Sequence, residues 1–162
     1  MFRFGRKSQA VRSTLCPELQ ELVDFVIQVY DVSLIEGHRT QATQDRYFNT
    51  GASKVKWPNS KHNHTPSLAV DAWPYIRTLA GKRVNTALNG HPDQIKKLAK
   101  VTGFSEQRIW ELTLQEFATM KGIMLAGAKT LGITLRFCDD WDGDGDRLDQ
   151  TFNDLPHVEI LR

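Results

Sequence analysis

Apolar residues recur every three or four positions in two long stretches of this chain, which is the spacing of one helix face. The pattern predicts helices over 17–30 and 113–132, the second opened by a capping box at Thr113. Weaker patterns with start and stop signals predict shorter helices over 40–48 and 92–101. Helices therefore account for much of the predicted structure.

Four short apolar runs predict strands, over 32–35, 68–73, 133–137 and 157–160. The second run is interrupted only by Asp71, and we expect it to end at the proline that follows it. Helices and strands follow one another without the regular alternation of a doubly wound sheet. The predicted fold class is therefore α+β, with a small antiparallel sheet packed by helices on one side.

The length of 162 residues predicts a single domain, 1–162, that can bury a substantial core. Residues 76–110 are the least regular part of the chain, and we expect a helical insert there. Hydrophobic residues make up 40% and charged residues 25%, an ordinary globular balance. Basic residues are dispersed and the net charge is only +2, so we expect no nucleic-acid partner.

The chain begins with basic residues and lacks the apolar stretch of a signal peptide. No run approaches the roughly 20 apolar residues that cross a bilayer. We therefore expect synthesis in a cytoplasm, no stable membrane insertion and a monomer. Cys16 and Cys138 lack CxxC spacing and flank apolar segments, so we predict buried thiols.

Two segments near opposite ends of the chain carry the residue types of a metal site. His62, Asp71 and His157 supply nitrogen and oxygen donors of the kind that zinc takes in catalytic sites, where one position stays open. Asp71 lies in an apolar strand, where an unpaired carboxylate is costly and a bound cation removes that cost. A buried salt bridge is the alternative for this aspartate.

Asp154 and Glu159 flank the last of these donors. Asp154, three residues before His157, is placed to accept a proton from an attacking water; a turn-forming aspartate is the alternative. Glu159 shares a strand face with His157 and could bond its second nitrogen, which would fix the tautomer. A surface carboxylate at the end of a strand is the alternative for Glu159.

Several motifs together resemble a known family. SKH at 60–62, AVD at 69–71 and DLPHVE at 154–159 are similar to the signatures of zinc D-alanyl-D-alanine carboxypeptidases and dipeptidases. The likeness is greatest to the phage endolysins that act as L-alanyl-D-glutamate peptidases. It extends to EGHRT at 36–40 and LRF at 135–137, so it spans both ends of the chain.

The resemblance implies a zinc site whose ligands are His62, Asp71 and His157. It implies that Asp154 is the general base and that Arg39 faces the substrate carbonyl or carboxylate. A guanidinium there would aim two donors at one oxygen pair and stabilise an oxyanion; a structural ion pair is the alternative for Arg39. Ser60 would donate a hydrogen bond near the site, or would serve only as a turn hydroxyl.

The first metal motif departs from the family pattern. Nine positions separate His62 from Asp71, which is longer than the family spacing, and the usual glycine between them is missing. The family spacing counted back from Asp71 ends on His64. Because His62 keeps the Ser-x-His context, we predict that His62 is the ligand and that this loop carries a short insertion.

An acidic loop precedes the last motif. Alternating aspartates with a glycine in sixth place are typical of a calcium loop: Asp140, Asp142, Asp144 and Asp146. The twelfth place is Thr151 rather than glutamate, so we do not expect a full EF-hand. The remaining interpretations are a looser calcium site, which would order the loop before Asp154, and a solvated acidic turn.

The resemblance implies a zinc peptidase that cuts the peptide stem of bacterial peptidoglycan between L-alanine and D-glutamate. Such an endolysin would be made in the host cytoplasm without a signal peptide and would reach the wall after release by a holin. One alternative is a D,D- or L,D-carboxypeptidase of wall remodelling on the same scaffold. Another is a non-catalytic wall-binding or calcium-binding module, which would have no use for Asp154.

Overall fold

The structure is a computed structural model that describes residues 1–77, 83–85, 92–138, 140–142 and 154–162. Its helices are α1 (Arg6–Arg12), α2 (Pro17–Val29), α3 (Gln41–Asn49), α4 (Pro92–Thr102) and α5 (Glu106–Leu131). Its strands are β1 (Val32–Glu36), β2 (Ala69–Arg77), β3 (Arg83–Asn85), β4 (Leu135–Phe137) and β5 (His157–Ile160). A 3-10 turn at Lys61–Asn63 lies between α3 and β2.

The strands form one antiparallel sheet in the order β1-β2-β5-β4, and β3 pairs with the far end of β2. Neighbours in this sheet are far apart in the chain, since β2 pairs directly with β5. The α+β prediction is therefore confirmed. The pairing of β2 with β5 also brings the two predicted metal segments together.

Alternation along the strands gives the sheet one apolar face and one polar face. The apolar face contributes buried side chains to the core: Val32, Leu34, Val70, Ala72, Val158 and Ile160. Helix α5 packs against β2, and α2 packs against α5. The opposite face carries Asp71, Trp73, His157 and Glu159, so the candidate site lies on the face away from the core.

Helices α2 and α5 approach each other closely because α5 has a glycine at the contact. A Cβ atom on Gly127 would lie 2.6 Å from a ring carbon of Phe25. The buried residues of α2 are Leu19, Leu22, Val23, Val26 and Ile27, as the periodicity predicts. On α5 the fully buried Phe117, Met120 and Met124 complete this core.

Replacing Phe117 by alanine should lower the free energy of unfolding by about 3–5 kcal/mol, because the change removes a fully buried ring and leaves a cavity. Leu125→Ala on the same helix is the matched control. Leu125 is 47% exposed, so its loss should change stability by less than about 0.5 kcal/mol. Urea unfolding measures both variants, and equal midpoints would contradict this packing.

The predicted start of the long helix at Thr113 is wrong. Helix α5 begins after Ser105, whose side chain accepts a hydrogen bond from the Arg108 amide at 3.2 Å. Thr113 is buried within the helix, and its hydroxyl donates to the Ile109 carbonyl at 2.8 Å. Serine is a residue type that caps helices well, and the buried Ile109 continues the apolar face of α5 one turn towards its N-terminus.

The expectation that Pro74 ends a strand is also wrong, since β2 continues through it. The Ala72 amide donates to the Pro156 carbonyl on the β5 side at 2.9 Å. The Pro74 nitrogen, two residues on, faces the same side beyond the last described pair with β5. Its missing N–H therefore removes no pairing there, and Pro74 stays opposite Val32 on the other side.

The predicted helical insert at 76–110 is described only in part. Its described residues include the end of β2, the strand β3, the helix α4 and the start of α5. This segment therefore holds a short strand as well as helices. The single domain with an insert stays a prediction.

Two simpler expectations concern the thiols and the membrane. Cys16 and Cys138 are both buried, as predicted. Within the described ranges, no helix is both long enough and apolar enough to cross a bilayer.

Candidate active site

The polar face of the sheet forms the floor of an open cleft of about 590 Å³. One side of the cleft is formed by Tyr47 of α3 and by the loop 52–61. The other side carries Arg136 and Trp141. Closely spaced ionisable side chains line this cleft, which makes it the candidate site: His62, Asp71, Asp154, His157 and Glu159.

Three donor atoms converge on the floor of this cleft. His62 Nε2 lies 3.1 Å from His157 Nδ1 and 3.2 Å from Asp71 Oδ1. His157 Nδ1 lies 3.2 Å from the same Asp71 oxygen, which closes a triangle. Asp71 and His157 are directly opposite residues of β2 and β5, whereas His62 comes from the 3-10 turn. The pairing of β2 with β5 thus positions two of the three donors.

A capped turn places the third donor, His62. The Ser60 hydroxyl accepts from the His62 amide at 3.3 Å and closes a capping box with Asn63. His62 Nδ1 lies 2.6 Å from the carbonyl oxygen of Gly37. Because a carbonyl only accepts, Nδ1 carries the proton and the lone pair of Nε2 faces the triangle.

Gly37 is needed for this contact. A Cβ atom on Gly37 would lie 2.3 Å from Thr14 Oγ1, so only glycine brings the two segments this close. Thr14 also accepts through its hydroxyl from the His38 amide at 2.9 Å, and its carbonyl accepts from Ser67 at 2.9 Å. Thr14, three residues before α2, is therefore bonded to the chain on both sides of the turn that carries His62.

His157 is held by a carboxylate on its own strand. Its Nε2–H donates to Glu159 Oε2 at 3.0 Å, which directs the Nδ1 lone pair into the triangle. Glu159 in turn accepts from Arg136 on β4 at 2.5 and 3.0 Å. Burial would raise the pKa of Glu159, but His157 and Arg136 lower it. The carboxylate is therefore ionised beside the ring.

Protons alone cannot satisfy the lone pairs of the three donor atoms in this triangle. Burial opposes ionisation of Asp71, yet His62 and His157 hold its pKa well below the usual range. Burial also disfavours protonation of His157, but hydrogen bonds to Asp71 and Glu159 raise its pKa to about 9. One proton on His157 can bridge only one edge of the triangle, which leaves other lone pairs facing each other.

A cation bound by all three atoms would resolve this conflict, and the cluster could hold a metal ion. For zinc–ligand distances of about 2.0–2.1 Å in tetrahedral geometry, ligand atoms lie about 3.3 Å apart. The observed separations of 3.1–3.2 Å fit that requirement with little movement.

Asp154 lies in the same cleft, half-buried, at the turn that enters β5. Its carbonyl accepts from the His157 amide at 3.0 Å. Burial and the charge of Asp71 raise the pKa of the Asp154 carboxyl, although the nearby histidines and Arg39 oppose this. The structure therefore brings the predicted base beside the three predicted ligands.

Arg39 is bonded within the protein and also lines the cleft. Its guanidinium donates to Glu36 Oε2 at 2.5 and 2.9 Å and to Gln44 Oε1 at 3.1 Å. A further nitrogen–oxygen distance of 3.7 Å joins it to Asp71 Oδ2. The residue is only 9% exposed. The structural ion pair and the cleft position, the two alternatives for Arg39, are thus both present.

A bulge in β1 explains why Glu36 faces this site. Leu34 lies opposite Ala72, but Glu36 rather than Ile35 lies opposite Asp71. The extra residue turns Glu36 onto the polar face beside Asp71. Periodicity alone did not indicate this, because a regular strand would place Leu34 and Glu36 on one face.

A sequence model of the phage L-alanyl-D-glutamate peptidase family matches residues 1–100 and 101–161. The chain belongs to this family. The L-alanyl-D-glutamate peptidase of Escherichia phage T5 is 30% identical over 165 residues, which covers 99% of this chain and 98% of that protein. The resemblance predicted from the motifs is confirmed.

A solved structure supports the fold. The crystal structure of Serratia marcescens L-Ala D-Glu endopeptidase ChiX superposes with a TM-score of 0.61 at 16% identity. The superposition covers 98% of this chain and 90% of that chain. The α+β architecture of this family member is therefore shared with a solved endopeptidase.

Two sequence alternatives have a clear position in the structure. His64 is exposed and lies outside the described cluster of His62, Asp71 and His157. Ser60 is buried and uses its hydroxyl as the cap of the turn, although it also lines the cleft. Donation from Ser60 to a substrate stays a prediction.

The predicted calcium loop falls mostly outside the described residues. Asp140 and Asp142 are described, whereas Asp144 and Asp146 are not. Calcium binding in this family member therefore stays a prediction.

Motif reasoning missed Gln44 and Trp141 as parts of the site. Gln44 is fully buried and donates to Ser53 Oγ at 2.9 Å and to the Val55 carbonyl at 2.7 Å, which attaches α3 to the cleft loop. The ring of Trp141 lies 5.4 Å from the ring of His157. Spacing could not identify either residue, because each contact depends on the tertiary path of a loop.

Proposed function

We propose that this chain is a zinc-dependent peptidase that hydrolyses the L-alanyl-D-glutamate bond in the peptide stem of bacterial peptidoglycan. One observation carries the proposal. Two imidazole nitrogens and a carboxylate oxygen converge within 3.2 Å of one another beside Asp154, in the open cleft of a phage L-alanyl-D-glutamate peptidase family member.

The ligand set supports zinc as the metal. His62, Asp71 and His157 offer the nitrogen and oxygen donors that zinc favours, and Gly37 and Glu159 hold the two rings in the correct tautomer. A zinc ion held there would polarise the scissile carbonyl and lower the pKa of a water towards about 7.

Asp154 serves as the general base of the proposed reaction. It accepts the proton of the attacking water and passes it to the leaving amine. Half-burial beside Asp71 raises its pKa, which suits a group that must take up and release a proton in one cycle. No covalent intermediate with the chain is formed.

Arg39 stabilises the negative charge that develops on the substrate. Its guanidinium keeps its charge, and Glu36 and Gln44 hold it at the edge of the donor triangle. From that position it acts on an oxyanion or on a substrate carboxylate. Ser60, which lines the same cleft, supplies a further polar contact to the stem peptide.

The family also supports a role in phage-induced lysis. The enzyme would be made in the host bacterium and would act on the wall after release by a holin. Its partner is then peptidoglycan itself.

Purified peptidoglycan should release fragments with new N-terminal D-glutamate when it is incubated with the protein and zinc. Mass spectrometry of the soluble fragments identifies the new ends. Protein treated with a chelator is the control and should release none until zinc is restored. Free D-alanine as the main product would instead support a carboxypeptidase, and full activity in chelator would contradict the metal mechanism.

A further inference from the structure

Arg136 connects two groups that contact the same metal-site histidine. It lies on β4 directly opposite Glu159 of β5, on the polar face of the sheet. Its Nε and Nη2 atoms both donate to Glu159 Oε1, at 3.0 and 2.5 Å. Glu159 is 4% exposed, and its other oxygen accepts from His157 at 3.0 Å. Both oxygens of this buried carboxylate are therefore bonded.

The same guanidinium also holds the segment 140–142. Its Nη1 donates to the Trp141 carbonyl at 2.8 Å, and its carbon lies 5.7 Å from the centre of the Trp141 ring. That ring is 5.4 Å from the His157 ring. Arg136 thus contacts His157 through a carboxylate on one side and an aromatic ring on another.

A single buried imidazole has few ways to keep its orientation without such contacts. Glu159 left without its cation would be a buried carboxylate with one partner, which is unfavourable. The planar fork of an arginine carries its donors in fixed directions, so it can bond a carboxylate and a carbonyl at the same time and hold both in one geometry. A lysine ammonium has only three donors on a flexible stem, so it would hold the two acceptors less firmly.

We propose that Arg136 is a positioning residue of the metal centre, which fixes the His157 ring through Glu159 and attaches Trp141 to the same ring. The inference rests on the proposed zinc site. It assigns Arg136 no contact with the reacting atoms.

Zinc affinity, measured by competition with a chromophoric chelator, tests whether Arg136 supports His157 as a metal ligand. We expect Arg136→Ala to weaken zinc binding by about 10- to 100-fold, as is typical when an outer contact of a ligand histidine is lost. Arg108→Ala is the matched control, because Arg108 is an exposed arginine of α5 that forms an ion pair with the exposed Glu111. Wild-type affinity in folded Arg136→Ala would overturn the proposal.

A double-mutant cycle tests whether Arg136 acts through Glu159. Glu159→Ala should weaken zinc binding, and adding Arg136→Ala should weaken it little further, because the route is already broken. Losses that multiply in the double variant would overturn this route. Should Arg136→Ala fail to fold, Arg136→Lys decides: weaker binding supports the proposal, and wild-type affinity overturns it.

Tryptophan fluorescence tests whether Arg136 holds Trp141 in place. Arg136→Ala should make tryptophan emission more accessible to acrylamide, and the increase should vanish in a Trp141→Phe background. An equal increase in that background would place the change at another tryptophan and overturn the contact.

The outcomes separate this inference from the proposed function. If the wild-type protein binds zinc without releasing D-glutamate ends, the proposed reaction fails and the role of Arg136 stands. If the protein cuts peptidoglycan but Arg136→Ala binds zinc as tightly as wild type, the inference alone fails. Absence of zinc binding by the wild type would overturn both.

Discussion

Asp154→Asn should lower the rate of peptidoglycan hydrolysis by about 10²–10⁴-fold, the usual contribution of a general base. Asparagine keeps the size of the side chain but cannot accept the proton of the attacking water. Stem-peptide release, followed by chromatography under saturating substrate, measures the loss in kcat.

Two controls make this result specific. Zinc content should stay at the wild-type level, since Asp154 lies outside the donor triangle. The melting temperature of the metal-free variant should not fall, because burial and Asp71 already disfavour the ionised form of Asp154. Full activity in Asp154→Asn would point to a different base.

Removal of the His62 imidazole should abolish both zinc binding and hydrolysis. His62 is 1% exposed, and its Nε2 is one of three converging donors, so alanine there leaves an incomplete site. Metal analysis after dialysis measures the first loss, and fragment release from peptidoglycan measures the second.

His64→Ala is the matched control, since His64 is an exposed histidine only two positions away. It should keep zinc and activity. Zinc that is retained by His62→Ala and lost by His64→Ala would reverse the choice between the two histidines. Circular dichroism of both variants checks that the fold survives each change.

Sequence reasoning succeeded where one local rule governs the structure. The alternation of β5 places His157 and Glu159 on one face, and that follows from a period of two. The helix α2 follows from its apolar periodicity and Pro17. Motif likeness then joined His62 and Asp71 to this strand, although the two are distant from it in the chain.

The rest depends on contacts that a local pattern does not contain. The pairing of Arg136 with Glu159 requires the register of β4 on β5. The bulge that turns Glu36 towards Asp71 requires the register of β1 on β2. The start of α5 was misplaced because two capping signals, at Ser105 and Thr113, compete and only tertiary burial decides between them.

The close contact at Gly37 has a practical meaning for protein design. Thr14 bonds the backbone amides of His38 and Ser67, and the neighbouring Gly37 carbonyl bonds the His62 ring. The segment before α2 therefore stabilises the turn that carries His62. A catalytic module trimmed to start at Pro17 would lose the hydrogen bonds of Thr14. Fusion partners for such a module should therefore be joined ahead of Thr14, which keeps the segment 14–16 as part of the portable unit.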